Sequence, residues 1–379
     1  MLRLGVTLVG MTRKPLYALP LVAAALLLPA CSHSTPAADT TLYAHADNSP
    51  QVSPPRLLAA QASTERDPAR EAAAALIGSM TDDQRANTVL TIDHAAHDDW
   101  HFVPRRRRGL SLGAMTDAQR HDLHRLLQAG LSDSGYLKAM DIVWLESVLQ
   151  ELENRGADDT YRDPGKYFLL LFGDPADAQG AWGWRFEGHH LSLNFTYTAE
   201  GVVTTPMFMG TAPAVVPSGL YAGKRVLADE HNLAFAFIAT LSEAQRDAMM
   251  IGEVPGDVVT GPGREDSLRE PAGIAFADMS QDQQAKLVHL IWVYLNRNKE
   301  SERGQFLDLP PESIHFAWAG STDPERPHYY RIYSEGNFVI EYCTRDGGVD
   351  HIHGVFHDLS DPLAEDLLRR HFEQEHAGE

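Results

Sequence analysis

Two histidines one residue apart, His351 and His353, follow the carboxylate Glu341 across a turn signal, and these three types can do metal chemistry. Asp346-Gly347-Gly348 separates two runs that read as strands, Asn337 to Arg345 and Val349 to His357. A three-residue hairpin loop with glycine in the left-handed position sets Arg345 opposite Val349, Cys343 opposite His351 and Glu341 opposite His353. Opposed residues share a face and side chains alternate along a strand, so one face gathers two imidazoles and a carboxylate. On a rigid sheet that set is a donor array for zinc, copper or non-haem iron with coordination positions left open. Such a divalent ion supports hydrolysis through a water of lowered pKa, or oxygen chemistry if it is iron. The same residues would also serve a metal-independent hydrolase as acid and base. In the plainest alternative Glu341 simply hydrogen-bonds a neighbouring imidazole, in a chain with 18 histidines. Charge inside strands that otherwise read apolar is costly unless paired.

His189 and His190 follow the tight turn Glu187-Gly188 and point to opposite faces, so at most one joins a given site. If two sheets pack face to face, His190 approaches the cluster as a further ligand or as the general base; capping the turn is its other use. Arg105 to Arg108 form a cationic run in an acidic chain. Guanidinium forks match carboxylate and phosphate, so the run either holds an anionic substrate or pairs with the protein's own acids. His94 and His97 read as surface residues, and Lys224 and Arg225 as salt-bridge or capping residues. There is no nucleophile elbow, phosphate-binding glycine loop, Cys-x-x-Cys or haem-attachment motif.

The elements that position these residues recur. Gly109 to Gln119 is echoed by Gly273 to Gln283, and each copy ends in a capping box, Thr116 with Gln119 and Ser280 with Gln283. Apolar residues at helical spacing follow in both, Leu123, Leu126 and Leu127 against Leu287, Leu290 and Ile291. Trp184 to Gly188 before Leu191 to Phe195 matches Tyr333 to Gly336 before Phe338 to Tyr342, and each leads to another strand, Val202 to Phe208 or Val349 to Phe356. Two tandem helix-plus-antiparallel-meander units related by internal pseudo-symmetry, an α+β class, are therefore expected at 105–250 and 273–379. A linker at 251–272 joins them, and a helical segment at 66–104, opened by the capping box Thr81 with Gln84, precedes them. Further helices are expected at Gly135 to Glu153 and along Asp229 to Met249. The first unit carries Asn194, Thr204 and Pro206 where the second has Glu341, His351 and His353, so only the second can hold the site.

Trp100-His101-Phe102-Val103-Pro104, the run Trp182 to Asn194, Thr205 to Gly210, Pro327 to Arg331, Glu341-Tyr342 and His351-Ile352-His353 resemble the bacterial family known as domain of unknown function 3500. The resemblance implies an aspartate where this chain has Cys343, which argues against that thiol as a required nucleophile.

The N-terminus points to export. Arg13 and Lys14, an apolar run from Leu16 to Leu28 and then Leu28-Pro29-Ala30-Cys31 have the order of a secretory signal. The run is shorter than the roughly 20 residues of a bilayer span. Cysteine after the small residue resembles a lipoprotein signal, which gives a signal peptide at 1–30, a lipid anchor at Cys31, a disordered tether at 31–65 and a place on the periplasmic face of the outer membrane. With 32 basic against 52 acidic residues, a net charge of -20, the composition argues against a nucleic-acid partner. Three classes remain: a metal-dependent hydrolase or oxidoreductase of the envelope; a lipoprotein binding a ligand among Trp182, Trp184, Trp318, Tyr329 and Tyr330; and a structural envelope protein.

Overall fold

Six of the seven described α-helices begin where a side chain accepts from their free N–H groups. In the computed structural model, which describes residues 67–156, 158–199, 201–302 and 313–361 with 364, 365 and 368, α1 (Pro68–Gly78) has proline in its first turn and Asp67 as its cap. Capping boxes open α2 (Asp82–Thr88), α3 (Asp117–Gly130), α6 (Glu243–Met249) and α7 (Gln281–Leu295). Between them lie α4 (Asp133–Leu152) and α5 (Ala228–Ile238). Leu123, Leu126 and Leu127 of α3 and Leu287, Leu290 and Ile291 of α7 are buried as their spacing requires. The expected signal peptide, lipid anchor and tether lie outside the described residues. No helix among the described residues is long and apolar enough to cross a membrane.

The strands form one mixed sheet: β1 (Val89–Leu90), β2 (Leu110–Ser111), β3 (Phe168–Gly173), β4 (Trp182–Gly188), β5 (Leu191–Tyr197), β6 (Val202–Val203), β7 (Met207–Thr211), β8 (Ile274–Ala275), β9 (Ile314–Gly320), β10 (His328–Ser334), β11 (Phe338–Thr344) and β12 (Ile352–Asp358). Its order is β1-β3-β4-β5-β7-β12-β11-β10-β9-β8, with β2 on β3 and β6 on β5. Among the described strands β1 with β3 is the one parallel pair. The two meanders therefore join edge to edge through β7 and β12, and it is this pairing, rather than face-to-face packing, that brings His190 to the cluster. The expected strand Val202 to Phe208 breaks at Thr204-Thr205-Pro206, because Pro206 has no N–H for a ladder. Two strands that the sequence pattern did not single out, β3 and β9, extend the sheet outward.

The two faces of this sheet differ in chemistry. Trp184, Phe186, Leu193, Met209, Ile340, Tyr342 and Phe356 belong to the main core with the helices. The alternate residues, including Arg185, Glu187, Asn194, Glu341, His353 and His357, point the other way and are all buried. They are covered by segments 95–107 and 254–260, whose unpaired backbone groups they satisfy. Arg185 donates to the carbonyls of Ala96 and His97, Glu187 accepts from His101 N–H at 2.9 Å, and His357 Nε2 bonds the Thr260 carbonyl at 2.7 Å. Covering segments without regular structure need such partners, because a buried free N–H or C=O is costly.

Candidate metal centre

His190 is placed by a two-residue turn. Gly188 pairs with Leu191 at the end of the β4–β5 hairpin, so His189 and His190 make the turn, and His190 sits at a φ of +61°. For a non-glycine residue that conformation costs roughly 1 kcal/mol. Its N–H donates to the Phe102 carbonyl at 2.8 Å, and its carbonyl accepts from Gly210 N–H at 2.7 Å. Gly210 in turn pairs with His353 across β7 and β12. The two imidazoles lean together over a residue that has no side chain. A methyl at Gly210 would meet His190 Cδ2 and His353 Cδ2, both at 3.2 Å.

His351 precedes β12 and closes the group. His190 Nε2 is 2.8 Å from His351 Nε2, which is 3.0 Å from His353 Nε2. The three donor nitrogens all lie within 4.8 Å of one another. Behind them stand carboxylates: His351 Nδ1 bonds Asp346 Oδ2 and His353 Nδ1 bonds Asp257 Oδ1, both at 2.6 Å. Phe102 and Phe208, stacked at 3.7 Å, wall the site and stand edge-on to His353.

These contacts fix the electrons. A carboxylate on Nδ1 holds the proton on that nitrogen, which leaves Nε2 with its lone pair. With those tautomers the Nε2 atoms of His351 and His353 face each other as acceptors at 3.0 Å, an arrangement that a shared cation makes favourable. A proton is disfavoured there. Burial pushes His353 down to about 4 in spite of Asp257, lowers His351 against the opposing pull of Asp346, and holds His190 well below its ordinary value. Neutral imidazoles backed by carboxylates are the ligating form. Three nitrogens about 2.1 Å from a tetrahedral ion stand about 3.4 Å apart, so the pairs at 2.8 and 3.0 Å must open by roughly half an ångström while His190 and His353 draw together from within 4.8 Å.

A family model described as protein of unknown function (DUF3500) matches residues 62–361. The chain belongs to DUF3500. No curated protein and no solved structure matches it significantly.

In this DUF3500 chain Glu341 is not one of the grouped ligands. The hairpin loop is two residues longer than expected: Thr344 pairs with Ile352, Cys343 with His353 and Glu341 with Val355. Asp350 is drawn out of the ladder because its carbonyl and Oδ1 accept from Ala214 N–H at 2.8 and 3.0 Å. A shift of two keeps the side-chain parity, so Glu341 stays on the histidine face but moves one pair away. There it accepts from Val259 N–H at 2.7 Å, Thr260 N–H at 2.8 Å, the Thr260 hydroxyl and the Tyr329 hydroxyl at 2.6 Å. It clips the covering segment down.

Asp257 lies in the segment read as a linker, and Asp346 was read only as part of the turn signal. Gly210 was missed although an isolated glycine inside an apolar strand signals close approach. Cys343 is fully buried and its thiol is pushed up by burial, consistent with a packing role. His97 is buried on Thr196, a correction to its reading as surface; its imidazole was needed to satisfy that hydroxyl. Trp182, Trp184, Trp318, Tyr329 and Tyr330 are at most 1% exposed, so they pack the interior and do not offer a ligand face. The arginine run is divided: Arg105 pairs with Asp99, Arg107 is buried against Glu187, and Arg108 meets His94.

Proposed function

We propose that this DUF3500 protein is an envelope lipoprotein whose His190, His351 and His353 hold a divalent metal ion for hydrolytic or oxidative chemistry on a substrate. The observation that carries the reading is the 3.0 Å approach of His351 Nε2 to His353 Nε2 with a carboxylate on the Nδ1 of each ring. A bound ion supplies Lewis acidity near neutral pH. The chain's own residues do the rest: Asp257 and Asp346 orient two ligands, the Phe102–Phe208 stack keeps water from one side, and the turn at His190 delivers the third. Zinc favours hydrolysis and iron or copper favours oxidation. Elemental analysis of the full chain, purified without chelator, tests the site. About one ion per chain is expected in the wild type and almost none in a His351→Ala, His353→Ala variant; near-zero metal in both removes the reading.

The order Arg13-Lys14, apolar run and Ala30-Cys31 supports the anchor. Cys31→Ser should then move the protein from the membrane fraction to the soluble fraction, and unchanged partitioning would contradict it. We also read the two halves as copies of one unit. In support, β2 leads through a single 3-10 turn into α3 and pairs with β3, as β8 leads into α7 and pairs with β9. Superposition of β3-β4-β5-β7 on β9-β10-β11-β12 with the helices included tests this, and helices that fail to coincide would remove it.

A further inference from the structure

Beside His189 lies a cavity of about 440 Å³, within the size range of small-ligand sites. Its wall carries Arg105, Arg106, Arg107 and Lys166 against two carboxylates, Glu146 and Asp163, in a chain whose net charge is -20. Both acids are already committed, Glu146 to His189 Nδ1 at 2.5 Å and Asp163 to Gly165 N–H at 2.7 Å. Two of the cations are committed as well, Arg105 to Asp99 and Arg107 to Glu187. That leaves Arg106, which has no hydrogen bond or ion pair among the described residues, and Lys166, whose ammonium bonds the Thr160 hydroxyl at 3.1 Å and feels the Asp159 carboxylate, itself paired with Arg155. The remaining wall is largely apolar. Tyr161 is held by the guanidinium groups of Arg155 and Arg162, 4.4 and 4.8 Å from its ring, and Phe168 and Pro104 complete the lining.

We propose that this cavity binds a small organic anion, with its carboxylate or phosphate on Arg106 and Lys166 and its apolar body against Tyr161 and Phe168. Guanidinium and ammonium groups favour oxyanions. His189 lines the cavity and its ring stacks on His190 at 3.7 Å, so one imidazole separates the lining from the three-histidine group. That the anion is the substrate of the metal centre rests on the metal reading. Its binding does not.

Calorimetric titration of the full chain after metal removal tests the proposal with benzoate, phenyl phosphate and, as a cation of similar shape, benzylamine. At least one anion binds, which identifies the head group, and an Arg106→Ser, Lys166→Ser variant with unchanged melting temperature binds it at least about tenfold more weakly. Benzylamine does not bind. Absence of binding by both anions, equal binding of benzylamine, or full affinity in the double variant overturns the proposal. Metal content is measured on the same variant before metal removal. Lost anion binding with metal retained confirms a separate pocket, and anion binding that persists in a wild type found to hold no metal overturns the metal reading alone.

Discussion

Replacing Asp257 by asparagine removes a single charge and no volume, yet it should loosen the metal. Three donors converge on the Asp257 carboxylate: His353 Nδ1 at 2.6 Å and Val258 N–H at 2.8 Å on Oδ1, and Arg345 Nη1 at 3.1 Å on Oδ2. Asparagine has one acceptor oxygen, so its amide group must face one of those donors. Whenever His353 loses its acceptor, the proton moves to Nε2 and the ligating lone pair is gone. Outer partners of this kind are worth about 10- to 100-fold in metal affinity, or about 1.4 to 2.7 kcal/mol. Competition for zinc against a chromophoric chelator reads the effect directly. Asp346→Asn is the internal control. Its side chain is 68% exposed, so water replaces it and the loss should stay under about threefold. An Asp257→Asn affinity within about twofold of the wild type, or a larger effect from Asp346→Asn, would refute the reasoning.

Gly210→Ala places a methyl 2.9 Å from the Ile352 carbonyl and 3.2 Å from both flanking imidazoles. It should cost about 1 to 3 kcal/mol of stability by urea unfolding, together with weaker metal binding; an unchanged metal affinity would show that the close approach is incidental. Glu341→Gln should lower stability by about 2 to 4 kcal/mol, because an amide cannot accept from all four donors. Metal stoichiometry should survive in that variant, and metal loss at unchanged stability would return Glu341 to the ligand set. His357, packed on Thr260 and Trp100, has its pKa lowered to about 4 by burial, against the opposing pull of the Thr260 carbonyl and Glu265. Its unfolded form takes a proton near pH 6.5, so between those values the unfolded state holds more protons and stability falls as the pH drops. The contribution approaches about 3 kcal/mol at the low end. Unfolding at pH 7 and pH 5 should therefore differ less in His357→Gln than in the wild type, and equal differences would contradict the assignment.

Local signals in the sequence carried the helix starts, since each capping box needs only four consecutive residues, and carried the apolar faces of α3 and α7. They also carried the parity that puts Glu341 with the histidines, because lengthening the loop by two residues does not change the side on which a chain emerges. What they could not carry was set by partners far away along the chain. The register follows from Asp350 meeting Ala214, and Glu341 is taken by the N–H groups of Val259 and Thr260, for which no local pattern shows a need. His190 reaches the cluster because β7 and β12 pair edge to edge and Gly210 leaves room above them. Asp257 had no strand or helix to mark it.

The central claim is that three imidazoles share one ion. Anomalous diffraction from crystals grown with zinc tests it most directly. A single strong peak about 2.1 Å from Nε2 of His190, His351 and His353 is the predicted result. A peak at another set of residues, or no peak with the three rings still in hydrogen-bonding contact, would contradict it.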